Sequence, residues 1–426
     1  MLAPVAVRGR VLPIRLRERS LVHRCYVGVP WLLVVAAVVY VPFATDVGFA
    51  PGSIDQVFRI GQLNQVMAYA VAILGLNVVV GFSGQLSLGQ SAFVGLGAYT
   101  SVILVADHGW GLLPTLPAAA GVCLAVGLLI GVPASRISGP YLAVATLAMA
   151  YVFPQLIVKY DSLTGGVNGK GPPRGTVEME PPAWLPFADA GRLAEPLWVY
   201  CILVVLATVL FVLARNFVGS RPGRALLAVR DNPASASASG IDPTLYKAMA
   251  FAVSGVYGGL AGAMLMLDRP FASDAQFGMR VAIFLVVGLV VGGTGRIAGA
   301  IPGAFVYFFV PYYVSEWTYD QSGMPPGLRQ LARPLFEWLP PAGATLSSLL
   351  FGATLLLLMF VLPGGIVDGA RRVRDRIVRV ERHPRWLPDV PREMVAPSAR
   401  PRGADQGDDD PPLEPAVGPT GSPGVT

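Results

Sequence analysis

Apolar residues along the chain gather into about ten runs separated by short polar segments. In order they are Val27–Phe43, Val57–Val80, Gly81–Val105, Leu112–Val132, Gly139–Val158, Leu197–Ala214, Ala248–Leu267, Val281–Gly292, Ala300–Val314 and Thr345–Leu362. Most approach the roughly 20 residues that an α-helix needs to cross a bilayer. The pattern predicts an all-α integral membrane protein with about ten transmembrane helices, one or more of them broken or short. The two short runs, Val281–Gly292 and Ala300–Val314, span only with their flanks included, or one of them is re-entrant.

The charges give the runs a direction. Arginines crowd the segment before the first run (Arg8, Arg10, Arg15, Arg17, Arg19, Arg24) and the segment Arg371–Arg385, and Arg136 and Arg296 mark turns between runs. Short basic loops face the cytoplasm, so both termini are expected there, in a multi-pass protein of the plasma membrane. Four regions follow: a basic segment 1–26, a membrane region 27–370, a second basic segment 371–396 and a tail 397–426. The tail is rich in Pro, Gly and Asp with almost no large apolar side chains, so it is expected to be disordered.

Composition agrees. Of 426 residues, 54% are hydrophobic and only 14% charged, against about 25% charged in soluble domains. The net charge of +6 collects at the expected cytoplasmic ends, which reads as topology and attraction to lipid headgroups. No basic face interleaved with aromatics stands clear of the membrane, so nucleic acid is not an expected partner. Cys25, Cys123 and Cys201 are far apart, which argues against a disulfide framework or a metal site.

Two stretches stand out. The first is the polar interruption 215–247, RNFVGSRPGRALLAVRDNPASASASGIDPTLYK, with five basic residues against Asp231 and Asp242. Within it RALLAVR reads as a short amphipathic helix, and Pro233 and Pro243 break any continuous helix. The small residues Ala234–Gly240 allow a partner to approach closely. The second is Asn77–Thr100, where Gly81, Gly84, Gly89, Gly95 and Gly97 interrupt a run that also carries Ser83, Gln85, Ser87, Gln90 and Ser91. Irregular backbone and polar side chains at membrane depth belong in protein interiors or along water-filled cavities. Broken helices present backbone dipoles to solutes, and small residues equally serve helix packing. Both readings stay open.

Catalytic and cofactor motifs are missing. No G-x-x-x-x-G-K-[ST] occurs; GGVNGKG (Gly165–Gly171) has the wrong spacing and reads as a turn cluster, and GGTGRIAG (Gly292–Gly299) reads as a tight inner turn. No H-E-x-x-H is present, and His23, His108 and His383 are scattered. Few charges lie inside any run, so no proton relay is evident. The chain is expected to be no enzyme and to need no cofactor or metal, and any ATP hydrolysis must occur elsewhere.

LNVVVGFSGQLSLGQSAFVGLGAYTSVIL (Leu76–Leu104) resembles the signature of the branched-chain amino-acid ABC importer permeases, M-type subunit. GRALLAVRDNPASASASGIDPTLYKAMAFAVSGVYGGLAGAML (Gly223–Leu265) is similar to that family's cytoplasmic coupling loop and following span. GPYLAVATLAMAYVF, LTGGVNG, LVVGLVVGGTGRIAGAIPGA and FVLPGGI follow in order, so the resemblance covers roughly residues 55–370. It implies a heteromeric importer: two homologous permeases, two cytoplasmic ATPase subunits docked on the coupling loops, and an extracytoplasmic solute-binding protein, all in membrane lipid. The residues it points to for docking are Arg224, Arg230, Asp231, Asn232, Gly240 and Tyr246. Those for the translocation pathway are Gly84, Gln85, Ser87, Gly89 and Gln90. The chain departs from the family at Pro233 and Ser237, where acids are common, and at Gln90, where histidine is common.

The implied cargo is a branched-chain amino acid or a related small polar solute. A stand-alone channel or secondary transporter for urea or an amide is the alternative, separable by transport without ATPase subunits. A membrane enzyme or scaffold would show clustered acids or histidines at one face, and the sequence has none.

Overall fold

The computed structural model describes residues 56–137, 139–173, 179–184 and 191–319, with short pieces at 6–7, 10–11, 14–17, 352, 364–369, 372 and 378–381. Strands β1 (Ala6–Val7) and β2 (Arg10–Val11) pair antiparallel, and β3 (Ile14–Arg17) pairs parallel with β4 (Val378–Glu381). Among the described residues the membrane-crossing elements are all helices. The helices are α1 (Gln56–Asn77), α2 (Gln90–His108), α3 (Leu112–Ala134), α4 (Pro140–Lys159), α5 (Ala194–Gly219), α6 (Arg221–Asp231), α7 (Pro233–Ala238), α8 (Pro243–Asp268), α9 (Met279–Gly292) and α10 (Ala300–Tyr319).

Among the described residues seven helical units are long and apolar enough to cross a bilayer, and Ile297–Tyr313 is a shorter apolar helix. The expected spans Val27–Phe43 and, apart from Gly352, Thr345–Leu362 lie outside the described residues. So do the tail 397–426 and most of 1–26 and 371–396. The run Val281–Gly292 reaches spanning length because the 3-10 turn Asp274–Gln276 extends it to the 19-residue unit Asp274–Gly292. The run Gly81–Val105 differs from its expectation: α1 continues through a π-helical turn, Val78–Phe82, the chain then runs without helix over 83–89, and α2 starts only at Gln90.

Prolines set several of the boundaries. Pro140, Pro233 and Pro243 each stand in the first turn of a helix, where a missing N–H costs nothing and the fixed φ favours the helix. The prolines expected to break the polar loop therefore start its helices.

Helices α1 and α8 form the centre. Their apolar windows are 78% and 83% buried, against 28% for α3 and 22% for α4. Lipid is as apolar as leucine, so helices in a bilayer associate through close packing and hydrogen bonds. Glycine supplies the close approach here. A Cβ at Gly97 of α2 would overlap the backbone of Gly259 in α8, and one at Gly262 would overlap Val94. Gly127 and Gly131 of α3 meet the α8 backbone at Ala252 and Ala248. The same device closes the α9–α10 hairpin, where Gly288 meets Gly303 and Gly292 meets Gly299. Tyr257 of α8 donates its hydroxyl hydrogen to the carbonyl of Leu210 in α5 at 3.0 Å.

Candidate functional site

The polar interruption folds as a helical hairpin lying across one end of the bundle. α6 is amphipathic: Ala225, Leu226 and Val229 are buried while Arg221 and Arg224 face solvent. Leu226 packs into a cluster of Val78, Val79, Ala134, Leu142, Ala250 and Phe251, with Tyr246 at its margin. The hairpin therefore sits directly on the π-helical turn at the end of α1. Burying a leucine side chain contributes about 1.5–3 kcal/mol, so this seat is firm.

Local hydrogen bonds shape the hairpin. Arg224 donates from Nη1 to the carbonyl of Gly219, at the end of α5, at 2.8 Å. The side-chain oxygen of Asn232 accepts from the Ser235 N–H at 3.1 Å and caps α7. The Asp242 carboxylate accepts from the Thr244 N–H at 2.9 Å and caps α8. Gly240, at φ 80°, ends α7 in a left-handed turn in which the Ile241 N–H bonds back to Ala236 and the Gly240 N–H to Ser237, the Schellman arrangement. From Asp231 to Gly240 every side chain except Ala236 is exposed. Three of the residues expected at the docking surface, Arg224, Asn232 and Gly240, thus fix its shape, and Asp231 stands on its exposed face.

Arg230 turns the other way. Its Nη1 donates to the carbonyl of Gly81 at 2.8 Å, and Nε and Nη2 donate to Asp231 Oδ1 at 3.1 and 3.0 Å. Gly84, at φ 71°, lies against the Arg230 stem so closely that a Cβ there would stand 2.5 Å from Cγ. The two stretches singled out in the sequence therefore touch at Arg230.

The non-helical segment 83–89 climbs into the bundle beside α8. Gln85 Nε2 donates to Ser83 Oγ at 2.6 Å and, more weakly, to the Lys247 carbonyl at 3.4 Å. Gln90 Nε2 reaches the Ser254 carbonyl at 3.3 Å. Seven residues of α8 separate those carbonyls, about 10 Å at 1.5 Å per residue. On the other side the Leu88 N–H donates to Thr146 Oγ1 at 2.9 Å, and Gly89 packs on Thr146 and Met149 of α4. Ser87 Oγ accepts the Gly89 N–H at 3.5 Å. Gln85 Oε1 and Ser91 Oγ are buried without a hydrogen-bond partner among the described residues.

Gln90 behaves differently from its neighbours. Its Nε2 also donates to the Ala72 carbonyl at 3.2 Å, and its Oε1 accepts from the Ser254 hydroxyl at 2.9 Å. The amide ties α1, α2 and α8 together at 2% exposure. Gly95 and Gly97 lie in regular helix and serve packing. Of the stretch Asn77–Thr100, only 83–89 is free of helix between its two helical parts.

Asn77 was not singled out by the sequence reading. It is fully buried, its Nδ2 donates to the Arg296 carbonyl at 2.9 Å, and its Oδ1 accepts the Gly295 N–H at 2.8 Å. It pins the end of α1 to the glycine turn between α9 and α10, and Gly81 fits there because a Cβ would overlap Asn77 Oδ1 and Gly295. The signal was an asparagine inside an apolar run, which requires a partner in the interior. Arg296 in turn pairs with Asp368. Among the described residues no cluster of three or more His, Cys, Asp or Glu is placed to hold a metal ion.

The sequence profile of the family described as branched-chain amino acid transport system / permease component matches residues 59–359. The chain belongs to this family. It is 31% identical over 242 residues to the high-affinity branched-chain amino acid transport system permease protein LivM of Salmonella typhimurium (strain LT2), covering 54% of this chain and 57% of that protein. The LivM protein of Escherichia coli (strain K12) matches with the same identity and coverage. The chain thus spans about half the length of the curated relatives it matches. No solved structure shows a significant match. Family membership and the apolar helices make this a multi-pass plasma-membrane permease of the transporter class.

Proposed function

We propose that this permease is a pathway-forming subunit of an ATP-driven importer for branched-chain amino acids or a closely related small polar solute. The observation that carries the reading is Arg230. It belongs to an exposed hairpin shaped for a partner and reaches inward to the carbonyl of Gly81, where α1 gives way to the polar segment 83–89. Helical breaks with π-turns recur at functional sites, and the orphan acceptor of Gln85 beside the break suits a solute or water.

In this reading the hairpin faces the cytoplasm and receives an ATPase subunit on the exposed ridge Asp231–Gly240. ATP binding favours one of two permease states by differential contact with the ridge. Movement of α6 shifts Arg230, Gly81 and Gly84 as a unit and so reorients 83–89. A second homologous permease completes the pathway, and a solute-binding protein delivers cargo at the other face. The supporting comparison is the similarity to proteins named as branched-chain amino-acid permeases.

The test is co-expression with the candidate ATPases and reconstitution into proteoliposomes. Labelled leucine should enter only with ATP, the second permease and the binding protein present. Uptake by the chain alone would establish instead a stand-alone channel or secondary transporter.

A further inference from the structure

The glycine cluster GGVNGKG (Gly165–Gly171) folds as a tight turn at the end of the bundle away from the hairpin, with Gly165, Gly166 and Gly169 all at positive φ. The Lys170 backbone pairs antiparallel with Ala272 in the segment 269–278, which joins α8 to α9. The Lys170 N–H donates to the Ala272 carbonyl at 2.8 Å, and the Ala272 N–H donates back at 2.9 Å. Lys170 Nζ donates to Asp107 Oδ2, at the end of α2, at 2.6 Å and to the Leu163 carbonyl at 2.7 Å. One residue thus ties the glycine turn, α2 and the α8–α9 connection together. The chains lie too close for a side chain between them. A Cβ at Gly169 would stand 2.6 Å from the Phe271 ring, and one at Gly171 would stand 2.8 Å from the Pro270 carbonyl oxygen.

Segment 269–278 is otherwise loosely held. Of its side chains only Ala272 and Phe277 are buried, and segments with few buried apolar contacts open most readily. Phe277 is 1% exposed and meets Tyr99 of α2 edge-on at 6.1 Å between ring centroids. Phe153 of α4 meets Tyr99 edge-on at 6.4 Å. Gly95, one turn inward of Tyr99, makes room for both phenylalanines, because a Cβ there would overlap the Phe153 ring and stand 2.9 Å from Phe277 Cβ. Tyr99 lies about 13 Å from either end of α2 at 1.5 Å per residue. Its hydroxyl is buried without a hydrogen-bond partner among the described residues, whereas a buried tyrosine usually finds one. Phe153 continues the face of α4 that carries Thr146 and Met149, the two residues on which Gly89 packs. The three rings therefore stand about 10 Å outward of segment 83–89, on the same walls.

We propose that segment 269–278 is an external strap that seats Phe277 as a plug against Tyr99 and Phe153, with Lys170 as its latch. This rests on the translocation pathway proposed above. The structure is then a state sealed from the outside. Release of Lys170 from Asp107 frees the glycine turn, which lets the strap and Phe277 withdraw. Water or solute then reaches the Tyr99 hydroxyl and satisfies it. That unpaired hydroxyl weighs against the sealed state, so the latch is needed to hold the seal.

The test places a reporter thiol behind the plug. Ala92 is 1% exposed and shares the face of α2 that carries Gly95 and Tyr99, two turns inward of Tyr99. Right-side-out membrane vesicles carrying the full chain are treated with a membrane-impermeant maleimide, and the wild type with its native cysteines sets the background. Ala92→Cys alone should label at background. Labelling follows the population of the open state, so adding Lys170→Met should raise it about tenfold, and Asp107→Asn or Phe277→Ala should raise it severalfold. Asp107→Asn carries the comparison if Lys170→Met fails to fold. Rapid labelling of Ala92→Cys alone, or background labelling in all three added variants, overturns the strap. So does equal labelling of Lys170→Met with and without the reporter, which marks general loosening that exposes the buried Cys123. A second arm locks the strap. Lys170 and Ala272 form a hydrogen-bonded pair, with Cα atoms about 5.5 Å apart, within disulfide reach. Oxidised Lys170→Cys with Ala272→Cys should stop leucine uptake by the assembled importer, and reduction should restore it. Uptake unchanged by the lock overturns the strap and leaves import standing. Latch-dependent labelling without uptake by any form of the complex overturns import and leaves the strap.

Discussion

Replacing Arg230 by glutamine removes the link between the exposed hairpin and the broken helix while leaving both in place. The lost contact is the Nη1 bond to the Gly81 carbonyl at 2.8 Å. A hydrogen bond from a charged donor contributes about 1.5–3 kcal/mol. The side chain is 38% exposed, so water recovers part of that and about 1–1.5 kcal/mol remains. The pair with Asp231, itself 68% exposed, adds little. If the hairpin drives segment 83–89 through this contact, its loss lowers the bias between permease states by the same amount, and 1.4 kcal/mol is about tenfold in an equilibrium. The assay is leucine uptake per ATP hydrolysed by the reconstituted importer, with thermal unfolding alongside. Arg230→Gln should lower that ratio about tenfold and leave the melting temperature near wild type, because the Leu226 seat of the hairpin is untouched. Arg230→Lys keeps the charge on a shorter reach and should fall between. A wild-type ratio in Arg230→Gln, in a folded and assembled complex, would refute transmission through this residue.

Three further outcomes follow from the packing. Gly97→Val places methyl groups where the Gly259 backbone lies; overpacking costs about 1–3 kcal/mol, so the thermal midpoint in detergent should drop clearly, whereas Gly121→Val, with nothing within 4 Å, should barely change it. Asn77→Ala removes both bonds to the α9–α10 turn and leaves the Gly295 N–H unpaired, a loss of about 1–3 kcal/mol; faster amide exchange around residues 293–296 should accompany the lower midpoint. Gly240→Ala meets no obstacle within 4 Å but forces a side chain into the left-handed region, which costs about 1–2 kcal/mol; the hairpin should become more sensitive to protease with little change in the global unfolding of the bundle.

Sequence and structure divide this protein along a physical line. Helix identity, apolar faces and the amphipathic turn RALLAVR were legible because a bilayer admits few solutions: apolar runs of about 20 residues become helices, and charge marks their ends. The ordered motifs likewise announced the permease family, later met in the profile match. The prolines of the polar loop were legible only as breaks, since local chemistry does not say whether a proline ends one helix or begins the next. What the chain could not declare was contact between distant residues. A glycine that packs and a glycine that breaks a helix are the same letter, and only the placement of α8 separated Gly97, pressed on Gly259, from Gly84, turned around Arg230. In the same way Gln90 was a polar residue of undecided purpose until Ala72 and Ser254 were brought within reach of its amide. In the sequence Asp268 is only the residue that follows an apolar run, and it became a buried, hydrogen-bonded carboxylate because α1 carries Asn64 beside it. Local chemistry sets which elements form, but burial and partnership arise between different elements, many of them more than a hundred residues apart, and those are fixed only when the helices pack.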